Sequence, residues 1–374
     1  MDISSELIHS LLPLFMATVL GASMMTIGVI EGVAESTAMI IKVFSGALSD
    51  RLGRRKGLTV LGYGLATLSK PLFALATTIG WVFTARFIDR IGKGIREAPR
   101  EALVADLAPA ALRGAAYGLR QSLDSIGAFV GPLLAVLCML WLANDLRAVL
   151  WIALLPALIA VALLVFGVHE PPPAADRARL PRSLNAATLR RLPRRYWLII
   201  LFVVVFTLAR FSDAFLVLRA HDVGLALGYV PVVMIAMNVV YALSAYPAGA
   251  AADRISPRWL LACGLVMLIA ADLLLAVAAT PLTALIGAAL WGLHMGLTQG
   301  LLSKLVADAV PVEMRGTAFG IVGLTTGVAV LLASVIAGAL WSAFAAAVTF
   351  YAGALFAALA LLGLTLTRTR LGAI

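Results

Sequence analysis

Apolar tracts of about twenty residues, repeated from one end to the other, constrain this chain more than any other feature. The segment VLWIALLPALIAVALLVFGV, residues 149–168, is apolar on every face. In water such a segment would leave a large exposed apolar patch. In lipid, about 20 apolar helical residues cross the hydrocarbon core. Backbone polar groups find no partner there, so spanning segments are helices or closed barrels. Barrel strands alternate apolar and polar over about ten residues. These tracts do not alternate, and the sequence therefore predicts transmembrane helices. Of the 374 residues 62% are hydrophobic and 13% charged, against about a quarter charged in soluble domains.

Breakers and charges divide the tracts into twelve expected spans, at about 10–29, 31–49, 57–77, 79–96, 115–140, 147–168, 196–218, 228–250, 258–278, 281–303, 316–340 and 343–366. The formal net charge is +10, and the cations sit in short connectors rather than in a nucleic-acid-binding patch. Connectors after even-numbered spans carry Arg51, Arg54, Arg55 and Lys56, then Arg96, Arg100 and Arg113, with later clusters at 177–195, 254–258 and 304–315. Those after odd-numbered spans hold little beyond Arg147 and Arg219. The positive-inside rule then places both termini in the cytoplasm; a bacterial inner (plasma) membrane is the expected location. The Pro- and Arg-rich stretch 169–195 reads as a cytoplasmic linker between an N-terminal half, 1–168, and a C-terminal half, 196–374. Its basic run would also suit anionic headgroups. Cys138 and Cys263 lie in apolar tracts and read as packed free thiols. The N-terminus has no basic n-region, and no cleaved signal peptide is expected.

The two halves share a design. Gly46, Asp50, Arg51, Gly53, Arg54 and Arg55 form one motif, and Gly249, Asp253, Arg254 and Arg258 echo it 203 residues later. Asp106, Pro109, Arg113, Gly114 and Gly118 recur 202 residues later as Asp308, Pro311, Arg315, Gly316 and Gly320. Two motifs at nearly one offset imply parallel repeats about an axis along the membrane normal. At these residues the chain resembles the major facilitator superfamily, whose signature lies between helices two and three. Helix four carries Arg86, as proton-linked members of that family often do. Gly127, Gly131 and Pro132 on helix five are similar to the motif of proton-coupled antiporters, although Ala135 and Val136 stand where glycines are usual. The resemblance implies an all-α fold of twelve helices in two six-helix repeats. It also implies secondary transport by alternating access, and no cofactor.

The residues say more on their own. Gly46 permits close helix approach, Gly53 a tight turn, and Asp50 with Arg51 either a conformational latch or a topology-setting loop. Asp253 and Arg254 would serve the second half in the same way. A charge within a span costs about 2.5–3.5 kcal/mol on insertion scales, so buried charges mark candidate sites. The cations are Lys42, Lys70, Arg86, Arg90, Arg120 and Arg210, and the anions Glu31, Glu35, Asp89, Asp124, Asp213 and Asp272. Arg86, Asp89, Arg90 and Lys93 form one stripe on helix four. Arg86 and Arg90 lie about 10 and 16 Å into their span, close to the midplane where transporter sites concentrate. Glu31, Glu35 and Lys42 share a face of helix two. The repeat offset of 202 makes Ala288, Trp291, Gly292 and Met295 of helix ten the equivalents of Arg86, Asp89, Arg90 and Lys93. Trp291, His294 and Gln299 are thus candidates for the apolar side of a substrate site. His294 equally suits a satisfied core position. Asp124 or Asp89 is the expected proton carrier. The alternative is a static network that fixes helix packing.

These features favour a transporter of a small organic solute, with protons and membrane lipid as its other partners, acting as a monomer and binding no nucleic acid. The helix-five motif favours efflux by antiport. An Arg-rich first half would equally suit proton-driven uptake of an anionic solute such as a siderophore or carboxylate. Met234, Met237 and Met295 would suit a soft-metal path, but no ligand set has clear spacing and no metal site is assigned. No GxxxxGK[ST] loop is present for nucleotide drive. No catalytic constellation has recognisable spacing, so an enzyme is not expected. A receptor that kept the fold without moving solute is the third class.

Overall fold

The computed structural model describes residues 1–52, 55–109, 112–170, 192–251, 255–310 and 314–366. Helices dominate, and no strand occurs among the described residues. They are α1 Asp2–Leu14, α2 Met24–Leu52, α3 Lys56–Ala74, α4 Ile79–Leu107, α5 Arg113–Trp141, α6 Leu146–Ile152 and α7 Leu154–Gly167. The second part supplies α8 Arg194–Leu208, α9 Ala214–Asp222, α10 Val232–Ala251, α11 Pro257–Ala276, α12 Pro281–Asp308, α13 Arg315–Ala343 and α14 Ala346–Leu366. Counting α6 with α7 and α8 with α9 as interrupted spans gives twelve crossings. Eight of these are long and apolar enough to cross a membrane by length and composition. Of the others, α1 and the α8–α9 pair are shortened by breaks, while α3 and α4 carry charges.

The chain divides into two compact units, Met1–Ala22 with Val33–Arg182, and Ser23–Gly32 with Ser183–Ile374. Small residues set the packing inside each, as expected where lipid gives helices no hydrophobic reason to associate. In the first unit a Cβ on Gly92 of α4 would lie 2.6 Å from the Gly62 carbonyl and 2.9 Å from the Ala66 nitrogen of α3. On α5, a Cβ at Gly127 would meet Asp2 Cβ at 2.8 Å, and one at Gly131 the Ile3 carbonyl at 2.8 Å. The helix-five motif thus acts locally as a notch for α1. In the second unit Gly292 of α12 abuts the Met237 carbonyl of α10, and Gly264 of α11 abuts Thr298 of α12.

These backbone contacts carry a prediction. Gly92→Ala is expected to cost about 1–3 kcal/mol by overpacking, seen as a lower unfolding midpoint in detergent. Gly64→Ala on the same pair of helices meets nothing within 4 Å and should leave the midpoint unchanged or raise it. Equal midpoints for the two variants would contradict the close α3–α4 approach.

Interrupted spans are satisfied from outside the helix, as buried backbone must be. At the α6–α7 break Ser4 Oγ donates to the Ala153 carbonyl at 2.6 Å. At the α8–α9 break the Ser212 amide donates to Ser334 Oγ at 3.2 Å. Two sequence expectations need correction. The first span does not run continuously over 10–29: α1 starts at Asp2, relaxes into a π-helical turn at Phe15–Val19, and ends before Gly21 at φ +64°. The apolar residues 24–30 begin the next helix, and Glu31 is interior rather than a boundary. The fourth span does not stop at residue 96 either. Helix α4 continues through Pro99 to Leu107, so Arg96 and Arg100, read as connector residues, are helical.

Candidate functional site

The charged stripe of α4 is the spine of the site in the first unit. Asp89 accepts from Lys70 Nζ of α3 at 2.9 Å, and Arg90 Nη2 lies 2.9 Å from its other oxygen. Arg90 Nη1 reaches Glu35 Oε1 on α2 at 3.0 Å, and Arg86 Nη2 stands 3.6 Å from the same oxygen. One arginine therefore joins a carboxylate of α2 to one of α4. The two ends differ in access: the Asp89 and Lys70 side chains are 3% and 1% exposed, the Glu35 side chain 24%. The Lys70–Asp89 pair is sealed inside the unit, while the Glu35–Arg90 pair reaches accessible space.

A second tier lies about 16 Å further along α4, at 1.5 Å per residue from Asp89 to Arg100. Lys42 of α2 pairs with Glu97 at 3.1 Å and Glu101 at 3.6 Å. Arg120 Nη1 of α5 lies 3.1 Å from Asp124 and 3.9 Å from Glu101. Arg100 stands between two carboxylates, 3.4 Å from Asp124 and 3.9 Å from Asp2 of α1. Lys42 thus belongs to this tier and not with Glu35, although both are on α2. Glu31 is buried, one turn before Glu35, in the part of α2 that falls in the second unit.

The signature motif is partly described. Gly46 approaches Ala98 of α4, with a Cβ distance of 3.3 Å, and Asp50 and Arg51 fall in the last turn of α2. Gly53, Arg54, Asp253 and Arg254 lie outside the described residues, as does most of the 169–195 linker. Arg55, the motif's last arginine, pairs with Asp106 at 2.8 Å, so the two repeated motifs meet in the first unit. Glu170 accepts from the Arg55 amide and, at 3.2 Å, from the Lys56 amide, holding the start of α3. Pro132 is inside α5, directly after the Gly131 notch.

The second unit replaces the charge stripe with rings. Trp291 and His294 of α12 are fully buried. The Trp291 ring lies 5.2 Å from Phe211, and the His294 ring 5.4 Å from Phe206. His294 Nδ1 is 2.8 Å from the Gly264 carbonyl, which fixes the ring on α11. Gln299 accepts from Tyr241 Oη of α10 at 3.0 Å. Arg210 sits in the α8–α9 break beside Asp213, whose charge acts on it. Met234, Met237 and Met295 are buried.

Sequence reasoning counted Lys70 and Asp272 among the charges within spans without giving them a role, read Arg100 as a connector residue, and did not single out Asp2, Glu97, Glu101 or Tyr241. Lys70 and Asp272 carried a usable signal, a charge inside an apolar tract. The α4 residues were hidden by ending that helix too early, and Asp2 by starting α1 too late.

Comparison with known proteins agrees with this architecture. The profile of the Major Facilitator Superfamily matches residues 1–237 and 211–372. An uncharacterized MFS-type transporter of Methanocaldococcus jannaschii is 30% identical over 348 residues, covering 91% of this chain and 85% of the relative. A multidrug resistance protein of Photorhabdus laumondii is 31% identical over 133 residues, 35% of this chain and 32% of its own length. Among solved structures, a nucleoside transporter mutant superposes with a TM-score of 0.83 at 14% identity, over 98% of this chain and 97% of that one. A D-xylose–proton symporter does so with a TM-score of 0.75 at 17% identity, over 97% and 95%. At such identities these likenesses speak for the fold alone. Profile, relative and architecture coincide over the whole length: the chain belongs to the major facilitator superfamily and is a multi-pass membrane transporter of twelve helices, not an enzyme.

Proposed function

We propose that this protein moves a small organic solute by alternating access of its two six-helix halves, 1–168 and 196–374, in exchange for protons. The observation that carries the reading is the placement of Asp124. Its carboxylate is partly exposed and shared between Arg100 at 3.4 Å and Arg120 at 3.1 Å, and Arg100 also faces Asp2. A proton on Asp124 releases two guanidinium groups to other carboxylates, Asp2 for one and Glu101 for the other. Protonation is thereby converted into a change of partners across α1, α4 and α5. Asp89 lacks this freedom, because Lys70 and Arg90 hold it in a sealed position. Efflux is the favoured direction, because the Gly127–Gly131 notch that seats α1 on α5 coincides with the motif of proton-coupled antiporters. We place both termini in the cytoplasm and assign Asp50 and Arg51 to a latch at that face.

One observation favours a solute with an anionic group, and with it the uptake alternative. The seventh span breaks at 209–213 with Arg210 in the break. Discontinuous helices near the midplane are where transporters concentrate their substrate sites, and Arg210 supplies a cation there.

A thermal-shift screen of organic anions and cations on the purified protein names the probe, and that probe is then followed in proteoliposomes. A pH gradient is expected to drive its movement at least tenfold faster than in its absence. Asp124→Asn should abolish the gradient's effect while counterflow exchange at equal pH persists. A full gradient response in Asp124→Asn would remove Asp124 from the mechanism. Gradient-insensitive flux in the native protein would remove proton coupling altogether.

A further inference from the structure

Asp272 is an ionisable group whose surroundings the transport reading leaves unexplained. It lies on α11, fully buried, and neither of its carboxyl oxygens has a hydrogen-bond partner among the described residues. Its place is shaped by what is missing opposite. A Cβ on Gly353 of α14 would come within 2.6 Å of Asp272 Oδ2 and 3.0 Å of Phe211 Cε1, so the glycine forms a notch that receives the carboxyl. Phe211 also packs on Trp291, whose Nε1 is buried without an acceptor among the described residues. An unused carboxyl and an unused donor therefore flank one ring.

Among the described residues no neighbouring charge compensates a carboxylate here. Helix α11 packs on α12 and α14. Within its bounds α14 carries no acidic or basic residue, and its Tyr351 is exposed. From α12 comes His294, whose Nδ1 is held by the Gly264 carbonyl eight residues away. Gly264 beside Thr298 and Leu275 beside Gly287 show that the two helices run antiparallel. Lys304 and Asp308 are thereby more than about 20 Å along α12 from the level of Asp272, and Arg258 is about 21 Å away along α11. From α9 comes Arg219, whose guanidinium donates to the carbonyls of Leu275, Ala276 and Ala278 and pairs with Asp222. Arg210 and Asp213, flanking Phe211, act on one another.

A bare carboxylate in such a place is strongly disfavoured, whereas a neutral carboxyl is far easier to bury. A hard metal cation would need about six oxygen ligands, and the notch presents a glycine and an aromatic edge. We propose that Asp272 is a proton-binding site, holding its carboxyl as the neutral acid in this conformation and exchanging the proton when the α11–α14 contact loosens. Its use in coupling rests on the transport reading above; its occupancy does not.

Infrared spectroscopy of the purified native protein at neutral pH tests occupancy without any solute. The carbonyl stretch of a protonated carboxylic acid is expected, lost in Asp272→Asn and retained in Asp124→Asn. Gly353→Ala, which presses on the carboxyl, should shift that band in frequency, and this arm stands even where Asp272→Asn fails to fold. A native spectrum without the band overturns the proposal, as does a band that survives Asp272→Asn or ignores Gly353→Ala. Should the band behave as expected while native flux ignores a pH gradient, the proton site stands and the coupled-transport reading falls.

Discussion

Asp89→Asn is expected to lower the stability of the folded protein by about 3–5 kcal/mol, the cost of leaving a buried ion without its partner. Lys70 is then held 1% exposed with its ammonium facing a neutral amide, and Arg90 loses Asp89 while keeping Glu35. The companion experiment is Lys70→Met with Asp89→Leu. Replacing both members of a sealed ion pair by apolar side chains is often neutral or stabilising. The double variant should therefore recover most of the unfolding midpoint lost in the single one, and Arg90 still has Glu35 at 3.0 Å. Thermal unfolding in detergent, followed by tryptophan fluorescence, reads all the variants. A mild effect of Asp89→Asn, or a double variant no better than the single, would show that the Lys70–Asp89 contact is not the enclosed pair described here.

That contrast bears on what could be read from the sequence. The spanning helices were legible because twenty apolar residues without alternation have one stable form in lipid. The charged stripe was legible because 86, 89, 90 and 93 return to one helix face, and charges inside an apolar tract are too expensive to be incidental. Pairing was not legible. Nothing in the sequence separates Asp89, sealed against Lys70, from Asp124, shared between two arginines near the surface. The distinction comes from which helix lies opposite. Local hydropathy also misled at two ends. The run from residue 10 to 29 is continuous in composition, yet Gly21 turns the chain within it. The end of α4 is polar enough to read as a connector, yet it stays helical because Lys42, Arg120 and Asp124 answer its charges from α2 and α5. In the second unit Tyr241 and Gln299 are 58 residues apart, and only tertiary packing joins them. Asp272 was visible as a charge in an apolar tract, but its lack of a partner is a property of Gly353 and Phe211.

Glu35→Gln with Arg90→Gln should reverse the pattern set by Lys70 and Asp89, leaving the fold near native stability and reducing transport at least 100-fold. The glutamines can still hydrogen-bond across α2 and α4, Asp89 keeps Lys70 at 2.9 Å, and neither member of the pair is left as a lone ion, so the structural loss is small. What disappears is a charge pair that reaches accessible space, with Arg86 3.6 Å from the same Glu35 oxygen. Hydrogen bonds to charged groups are worth about 1.5–3 kcal/mol each, and two lost together correspond to more than a hundredfold in binding or rate. The probe named by the thermal-shift screen supplies the readout, as counterflow exchange in proteoliposomes beside the unfolding midpoint of each variant. Native exchange with a native midpoint would make this pair packing rather than pathway. A collapsed midpoint would place it with Lys70–Asp89 as part of the scaffold. A stable protein that no longer exchanges solute would locate the working charges of the first unit at Glu35 and Arg90, one helix face away from the pair that holds the unit together.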